Sequence, residues 1–449
     1  MNDTIVAIST ALGVGAISIV RISGDEAIDI VNKVYKGKNL KKVDSHTIHY
    51  GHIVDNGFVI DEVLVSVFRA PKTFTKEDVV EINCHGGVYV TNRILELLVL
   101  NGARISEPGE FTKRAYLNGR IDLTQAEAVM DIIESKTKNS LQMANNGILG
   151  QTKKVIRDFR NHLLTCIAQI EVNIDYPEYE DEIQVTNEIL LPNLKYLLEE
   201  FEVILKKSEV SKIIKNGIDT AIIGRPNVGK SSLLNAIIRE DKAIVTNIAG
   251  TTRDIVEGQI NIGGIILNMI DTAGVRVTDD VVEKIGVQKT RQVLEKSDLI
   301  ILVFDYNSPI DSVDTELLKL TENKNRIIII NKKDLDQKID LSLFNDYILV
   351  SSYDENDISV IENKIKEIYQ LNKIETIDPT YIGNVRQITK LKQAKQHLLD
   401  AIDSIRQMQP VDIVAIDIQN AWIALGEILG EVSSDDLINE MFSKFCLGK

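Results

Sequence analysis

The feature that most constrains this chain is a loop motif near its middle, Gly224-Arg225-Pro226-Asn227-Val228-Gly229-Lys230-Ser231. It fits the pattern GxxxxGK[ST], and it lies between a strand-like run (Thr220–Ile223) and a helix-like run (Ser232–Ile238). Glycines let backbone N–H groups turn toward phosphate oxygens, and the helix N-terminus adds its positive dipole end. In such a loop Lys230 reaches the β- and γ-phosphates, and the Ser231 hydroxyl binds Mg²⁺. The motif predicts an α/β nucleotide-binding domain of the P-loop type.

Three later motifs narrow the nucleotide to GTP. Gly250–Asp254 (GTTRD) lies in a polar loop, where a threonine can bind Mg²⁺ and respond to the γ-phosphate. Asp271–Gly274 (DTAG) ends an apolar strand; its aspartate suits the Walker-B role and its glycine N–H suits the γ-phosphate. Asn331–Asp334 (NKKD) ends the run RIIII, and Ser351 is placed to support the base. Asp334 can accept two hydrogen bonds from guanine, which adenine cannot donate.

The residue that follows DTAG differs from the residue in Ras-like GTPases. Val275 stands where those enzymes have a glutamine that orients the attacking water. Another polar group must do this, and the next loop offers three acids, Asp279, Asp280 and Glu283, among which spacing cannot choose. No arginine is aimed at the transition state by position alone, so another positive charge is needed. Asn227 could offer an oxygen to a monovalent cation.

The distribution of strand-like and helical patterns along the sequence predicts a multidomain chain. Residues 1–118 read as mixed α/β, 119–212 as helical, 213–375 as an α/β G domain, and 376–449 as helical again. In 213–375, strand-like runs, among them Gln259–Asp271, alternate with helical patterns, which favours a mainly parallel sheet. Thr124 and Glu127 fit a capping box that opens a helical stretch reaching about Tyr176. We expect the two helical stretches to pack as one discontinuous domain that carries the G domain.

Composition excludes several other classes of protein. The chain has 449 residues, with 51 Lys plus Arg against 66 Asp plus Glu, a net charge of −15. This balance argues against a surface that coats nucleic acid, although it allows a local basic patch. Three cysteines without a CxxC pattern indicate neither a disulfide framework nor a zinc module. We find no apolar run of about 18 residues and no signal-peptide pattern, so we expect a soluble cytoplasmic protein without a membrane span.

With these motifs in place, the chain resembles the MnmE (TrmE) family of tRNA-modification GTPases from end to end. The resemblance includes VRISG at Val20–Gly24, EDVVEINCHGG at Glu77–Gly87 and EPGEFTKRAYLNGRIDLTQAEAV at Glu107–Val129. It continues through GRPNVGKSSLLNA, NIAGTTRD, DTAGVR and VEKIG to the terminal FCLGK. One departure is the segment Thr10–Ala16, which lacks the prolines and the arginine of the family's glycine-rich N-terminal loop.

The resemblance implies the architecture and the cofactors. It implies an α/β N-terminal domain that binds tetrahydrofolate (the 5-formyl or methylene form) and dimerises, a discontinuous all-α domain, and an inserted Ras-like G domain. It also implies that K⁺ replaces an arginine finger when two G domains pair in a homodimer. An MnmG (GidA)-type partner would supply FAD in a heterotetramer or larger complex. Together they would add an aminomethyl-type (carboxymethylaminomethyl) group to C5 of the wobble uridine of certain tRNAs.

The resemblance also assigns residues to roles. Glu283 matches the acid that positions the hydrolytic water and, with Lys230, forms the predicted catalytic pair. Mg²⁺ ligands would be Ser231 and Thr252, and K⁺ ligands Asn227, Thr246, Ile248 and Thr251. Folate contacts would be Arg21, Glu81, Arg120 and Lys449. The full predicted GTP site is Asn227, Val228, Gly229, Lys230, Ser231, Ser232, Thr246, Asn247, Ile248, Ala249, Gly250, Thr251, Thr252, Asp271, Thr272, Ala273, Gly274, Asn331, Lys332, Asp334 and Ser351.

A second class of function fits the G motifs alone. A GTPase can act as a binding switch in ribosome or RNA assembly, without any modification chemistry. The terminal FCLGK and the EINCHGG region favour the modification enzyme, because a simple assembly switch has no reason to carry both.

Overall fold

The computed structural model describes residues 3–175, 185–239, 258–262, 264–270, 292–369, 371, 378, 380–431, 435–445 and 448. The chain divides into two compact units. The first unit comprises residues 1–130, 148–161 and 422–449, and the second comprises residues 131–147 and 162–421. The division into folate, helical and G domains at the boundaries given above stays a prediction.

The first unit contains a seven-stranded sheet in the order β3-β4-β5-β6-β2-β1-β7. Only β1 and β7 pair in parallel; the other neighbours are antiparallel. The strands are β1 Ile5–Ile8, β2 Ile17–Ser23, β3 Tyr35–Gly37, β4 Thr47–Asp55, β5 Phe58–Phe68, β6 Val79–His85 and β7 Arg104–Ile105. The register places Arg21 on β2 directly opposite Glu81 on β6.

Two helices, α1 (Ala27–Val34) and α2 (Val88–Leu100), pack with this sheet. Alternate strand residues such as Val65 and Ile82 point into a shared core with Ile30 and Leu98, all fully buried. This alternation is the reason why the run Phe58–Phe68 reads as a half-buried strand.

The helical region that follows is more broken than predicted. It comprises α3 Glu110–Leu117, α4 Leu123–Glu134, α5 Lys138–Ile148, α6 Gln151–Asp175 and α7 Leu191–Asn216, with a π-helical turn at Val185–Leu190. The stretch from Thr124 to about Tyr176 is therefore three helices. One break is at Gly150, whose φ of +74° a helix cannot contain.

The capping box predicted at Thr124 and Glu127 is wrong, because the box lies two residues earlier, at Asp122 and Gln125. Asp122 Oδ1 accepts a hydrogen bond from Gln125 N at 3.0 Å, and Gln125 Oε1 accepts one from Asp122 N at 3.1 Å. Thr124 Oγ1 donates to the same aspartate oxygen at 2.6 Å. An aspartate one position before the helix is as good a cap as threonine, so composition alone could not decide the register.

The second unit contains a six-stranded sheet in the order β13-β12-β11-β8-β10-β9. The strands are β8 Ile218–Ile223, β9 Gly258–Ile262, β10 Ile265–Met269, β11 Leu299–Asp305, β12 Arg326–Asn331 and β13 Ile348–Val350. All neighbours are parallel except β9 and β10, which confirms the mainly parallel sheet. The predicted single run Gln259–Asp271 is a hairpin, turned at Gly264 with a φ of +84°.

Both faces of this sheet are covered, which explains why its central strands are apolar throughout. One core contains Val303 of β11 with residues of α8 (Lys230–Arg239) and α10 (Glu355–Ile368). The other contains Phe304 of β11 and Leu317 of α9 (Ser312–Leu320). This two-sided packing fixes the carboxyl ends of β8 and β12, where the phosphate and base motifs begin.

The chain continues with α11 (Val385–Arg406), α12 (Val411–Leu429) and α13 (Asp435–Ser443). Helix α11 packs against α7, with Lys395 Nζ 2.9 Å from Glu202 Oε1. Helices that precede and follow the six-stranded sheet in the sequence are thus in contact, as the predicted discontinuous helical domain requires. Among the described residues, no helix is both long and apolar enough to cross a bilayer.

Candidate functional site

The phosphate loop connects the end of β8 to the first turn of α8, and two of its glycines have no room for a side chain. A Cβ at Gly224 would lie 2.3 Å from the carbonyl oxygen of Val303. Gly229 has a φ of +95°, and a Cβ there would lie 2.2 Å from Nδ2 of Asn331. Glycine is therefore required at both positions by the packing of the loop on neighbouring strands.

Lys230 is held inside this loop. Its Nζ donates to the carbonyl oxygens of Gly224 at 2.8 Å and Arg225 at 2.6 Å. Burial lowers the pKa of Lys230. Within the described part of the chain, the hydrogen-bond partners of this ammonium group are neutral carbonyls. An ammonium so placed at a helix N-terminus is suited to an anionic ligand, so the residues present fit a triphosphate. Ser231 and Ser232 follow in the first turn of α8, where a hydroxyl next to the phosphates can reach Mg²⁺.

The base-reading motif supports the phosphate loop from the end of β12. Asn331 Nδ2 donates to the carbonyl oxygen of Val228 at 3.1 Å. Lys332 Nζ donates to the carbonyl oxygen of Asn227 at 2.8 Å and also pairs with Asp305. Asn227 has a φ of +65°, a conformation that asparagine tolerates better than most residues. Two motifs about a hundred residues apart therefore form one rigid site.

Asp334 is oriented by the serine that the sequence singled out. Ser351 Oγ donates to Asp334 Oδ1 at 2.7 Å. The backbone N–H of Ser351 in turn donates to Asp357 Oδ2 at 2.7 Å, and Lys333 Nζ pairs with Asp357. Asp357, 6% exposed, is a supporting residue that sequence reasoning missed. Its position in the first turn of a helix, α10, is the feature by which the sequence could have pointed to it.

Arg225 of the phosphate loop pairs with two aspartates at the start of α9. Its Nη1 lies 2.8 Å from Asp311 Oδ2, and its Nε lies 2.9 Å from Asp314 Oδ2. Burial raises the pKa of Asp314, and the charge of Arg225 opposes that rise. Asp311 and Asp314 were missed in the sequence, although they form a capping box at the start of α9.

Several predicted site residues lie outside the described part of the chain. They are Thr246, Asn247, Ile248, Ala249, Gly250, Thr251, Thr252, Asp271, Thr272, Ala273, Gly274, Glu283 and Lys449. Their roles in binding Mg²⁺, K⁺, GTP or folate, and in positioning water, stay predictions.

The first unit contains a cavity of about 430 Å³. It is lined by Arg21, His46, Phe68, Pro71, Lys72, Thr73, Phe74, Lys76, Val79, Glu81 and Arg120. Arg21 Nη2 lies 2.8 Å from Glu81 Oε1, and the Arg120 guanidinium carbon lies 5.0 Å from the centre of the Phe74 ring. Three of the four residues predicted to contact folate thus line one cavity.

The end of the chain reaches this region through Gly448. Its carbonyl oxygen accepts hydrogen bonds from Ser9 Oγ at 3.2 Å and from Arg21 Nη1 at 3.4 Å. A Cβ at Gly448 would lie 2.3 Å from the carbonyl oxygen of Ile8. The penultimate residue is therefore docked beside Arg21, which itself lines the cavity.

The altered N-terminal loop is anchored elsewhere. Gly15 N donates to the Gly86 carbonyl oxygen at 2.9 Å, and Gly86 N donates to the Ala16 carbonyl oxygen at 3.3 Å. Among the described residues, none from Thr10 to Ala16 lines the cavity. The lost prolines and arginine therefore do not remove any of the lining side chains named above.

Comparison with known proteins gives two family matches. Residues 4–120 match the family described as GTP-binding protein TrmE N-terminus, and residues 123–446 match the MnmE helical domain. These matches agree with an α/β N-terminal domain followed by helices.

Curated relatives are similar over the whole chain. A protein of Bacillus cytotoxicus named tRNA modification GTPase MnmE is 50% identical over all of this chain and 99% of its own length. A Streptococcus thermophilus protein of the same name is 52% identical over all of this chain and 98% of its own. Among solved structures, the G domain of the T. maritima FeoB iron transporter is 27% identical over 34% of this chain and 98% of its own, with a TM-score of 0.26. On the phosphate-loop and base-loop geometry together with the full-length identities, the chain belongs to the tRNA modification GTPase MnmE family and is a GTP-hydrolysing enzyme.

Proposed function

We propose that this GTPase works on C5 of the wobble uridine of certain tRNAs, to which it adds an aminomethyl-type (carboxymethylaminomethyl) group. In this proposal the cavity of the first unit holds a tetrahydrofolate, as the 5-formyl or methylene form. The cytoplasmic homodimer acts with an MnmG-type FAD protein in a heterotetramer or larger complex. The observation that carries the proposal is the meeting of Arg21, Glu81 and Arg120 at one cavity in a chain that also holds a GTP site.

The chemistry of the cavity suits a folate. Folates combine a flat heterocycle with donors and acceptors and an anionic glutamate tail. Glu81 offers a carboxylate acceptor, and Arg21, Arg120 and Lys72 offer positive charge around the same space. Phe74, which already stacks with Arg120, adds an aromatic surface. The bound folate would supply the one-carbon unit, while these side chains bind and orient it.

Calorimetry with 5-formyltetrahydrofolate tests the cavity assignment. Arg120→Ala and Glu81→Gln should each weaken binding by about tenfold to a hundredfold, since each removes a charged hydrogen-bonding group. Arg406→Ala is the matched control, because Arg406 is exposed on the second unit and pairs only with its helix neighbour Asp403 in the described residues. Equal affinity of the cavity variants and the wild type would show that folate does not bind in this cavity.

The GTP cycle would depend on potassium. Arg225 is committed to Asp311 and Asp314, which leaves the phosphate loop without an arginine directed at the developing charge. The proposed cation ligands are Asn227 in this loop and Thr246, Ile248 and Thr251 in the following segment. A bound K⁺ would offset charge between the β- and γ-phosphates when two G domains pair.

The test is GTP turnover at equal ionic strength in KCl and NaCl, together with sedimentation under hydrolysing conditions. We expect turnover at least tenfold faster in KCl, with association of the G domains only in KCl. Equal turnover rates in KCl and NaCl would contradict the potassium proposal and would not bear on the folate proposal. Nucleoside mass spectrometry of tRNA from cells lacking the protein then decides whether the wobble uridine loses its C5 group.

A further inference from the structure

A concentrated positive surface lies on the first unit, outside both candidate sites. Five of the ten residues from Lys33 to Lys42 are lysines, and no acidic residue occurs from Ile30 to Val43. All five side chains are exposed. In a chain with a net charge of −15, this segment is a local reversal of sign. We call Lys33, Lys36, Lys38, Lys41 and Lys42 the lysine surface.

Most of this charge is not neutralised within the chain. Lys41 lies 3.0 Å from Asp29, and Lys33 donates to the carbonyl oxygen of Asn101 at 3.4 Å. In the part of the chain that the structure describes, no acidic side chain pairs with Lys36, Lys38 or Lys42. Three ammonium groups in solvent without counter-charges favour a polyanionic partner.

The backbone under the lysine surface is fixed. The Arg69 guanidinium donates to the carbonyl oxygens of Leu40 at 3.1 Å, Lys41 at 3.0 Å and Val43 at 3.2 Å. Leu40 is fully buried, and its N–H donates to Asn32 Oδ1 at 2.8 Å. A partner therefore loses little affinity to ordering of the backbone that carries Lys41 and Lys42.

Protection of a sheet edge does not explain all five lysines. Strand β3 is the edge strand of its sheet, and a lysine there discourages pairing with other strands. Only Lys36 lies within β3. Lys41 and Lys42 belong to a 3₁₀ turn beyond it, where no strand edge is exposed.

Two short segments of chain join the turn of the lysine surface to the cavity. Arg69 holds the turn that carries Lys41 and Lys42, and two and three residues after it Pro71 and Lys72 line the cavity. His46, four residues after Lys42, lines it too, with its ring 5.4 Å from that of Phe68. The cavity wall carries two further lysines, Lys72 and Lys76, and the exposed Asp44 lies between Lys42 and His46 in the sequence.

We propose that the lysine surface binds the phosphate backbone of the tRNA. This inference rests on the tRNA-modification role of the family and not on the folate or potassium proposals. Backbone contacts of this kind fix orientation without reading sequence, and their strength falls steeply with salt.

The experiment measures binding of fluorescently labelled, unmodified tRNA to the full chain by anisotropy over a range of KCl concentrations. The test variant is K36Q/K38Q/K42Q. The matched control is K319Q/K324Q/K338Q, which removes the same charge from exposed lysines of the second unit. We expect the test variant to bind at least tenfold more weakly near 100 mM KCl, with the slope of log Kd against log salt reduced by about 2 to 3. The control should bind within about twofold of wild type.

A charge-preserving variant separates electrostatics from folding. K36R/K38R/K42R should bind tRNA like wild type, since any phosphate contact survives the exchange. The proposal would be overturned if the glutamine variant bound tRNA as tightly as wild type, or if the glutamine variant and its control lost affinity equally. It would also be overturned if wild type did not bind tRNA at 50 mM KCl. Lysine-dependent binding to phosphatidylglycerol vesicles without lysine-dependent binding to tRNA would overturn it too. Calorimetry with folate on the same proteins reports separately on the cavity.

Discussion

The Nζ of Lys332 donates to the carbonyl oxygen of Asn227 at 2.8 Å, across 105 residues of sequence. This bond joins the loop predicted to read the base to the loop predicted to hold the phosphates. Asn331 reinforces it through Val228 at 3.1 Å. The two predicted nucleotide-binding loops are therefore mechanically linked.

Replacement of Lys332 by methionine should weaken GTP binding by about tenfold to a hundredfold. The methionine keeps most of the side-chain volume but loses a charge-assisted hydrogen bond, worth about 1.5–3 kcal/mol. Titration with a fluorescent GTP analogue measures the effect. Lys338→Met is the control, because Lys338 is exposed and its side chain is not part of the site. If both variants bind as wild type does, the link between the loops has no energetic role.

Gly229→Ala should abolish nucleotide binding, whereas Gly264→Ala should not. Both glycines have positive φ, +95° and +84°, so both alanines carry a similar backbone strain of about 1 kcal/mol. Among the described residues, only the Cβ at position 229 would meet another atom, Asn331 Nδ2 at 2.2 Å; at Gly264 no described atom lies within 4 Å of the added Cβ. Thermal unfolding and GTP binding of the two variants separate strain from collision. Retained binding in Gly229→Ala would show that the loop can relax.

Asp334→Asn should shift base preference from GTP toward xanthosine triphosphate. The amide oxygen of the variant side chain can keep the hydrogen bond from Ser351, while its NH₂ group presents a donor to the base where the carboxylate presented an acceptor. We expect the ratio of the two affinities to change by at least a hundredfold. Competition binding with both nucleotides measures this ratio. An unchanged ratio would discard the base-reading role of Asp334.

Glu283→Ala should leave GTP binding nearly unchanged but slow hydrolysis by about a hundredfold or more, the size expected when a group that positions water is lost. Asp279→Ala and Asp280→Ala are the matched controls on the same segment. Single-turnover hydrolysis separates the chemical step from binding. A slow Asp279 or Asp280 variant beside a normal Glu283 variant would transfer the role to that residue.

Arg114→Met should destabilise the first unit by about 3 kcal/mol near neutral pH. Arg114, 1% exposed, contacts Asp3, Glu77 and Glu110, so its removal takes a buried cation away from three carboxylates. Asp3 and Glu110 keep their contacts with Arg104. Burial by itself raises the pKa of Glu110, but bonds from Arg104, from the Glu107 N–H and from Arg114 outweigh it, and the pKa is lowered. Hydrogen exchange of peptides in residues 3–23 reports on this unit.

The pH dependence follows from the sign of that shift. A carboxyl group with a lowered pKa in the folded state stabilises the fold above its unfolded pKa, and the contribution is lost as pH falls through the folded value. The difference in unfolding free energy between wild type and Arg114→Met should therefore be largest at pH 7. It should shrink below about pH 4.5, the ordinary pKa of a glutamate such as Glu110. A stability difference that stayed constant with pH would mean that the loss comes from packing and not from charge.

Much of the site could be read from the sequence because its chemistry depends on short local patterns. A phosphate loop needs glycines and a lysine at fixed spacing, and a parallel strand buried on both faces needs a continuous apolar run; both are visible in Gly224–Ser231 and Leu299–Asp305. The MnmE family assignment rests on such patterns, and full-length relatives confirm it.

Local patterns failed where two arrangements cost nearly the same. The cap of α4 falls on Asp122 and not Thr124, and the run Gln259–Asp271 turns at Gly264 to form two strands. In each case the residues suit either arrangement, and packing against the rest of the fold decided between them.

The sequence by itself determined that this protein holds GTP, since the glycines, Lys230 and Asp334 carry their roles in residue type and spacing. Only the tertiary structure decided that Arg225 pairs with Asp311 and Asp314, and that Arg21, Glu81 and Arg120 surround one cavity. The physical reason is that a side chain's charge is fixed by its identity, whereas its partners are chosen by strands and helices that meet from distant parts of the chain.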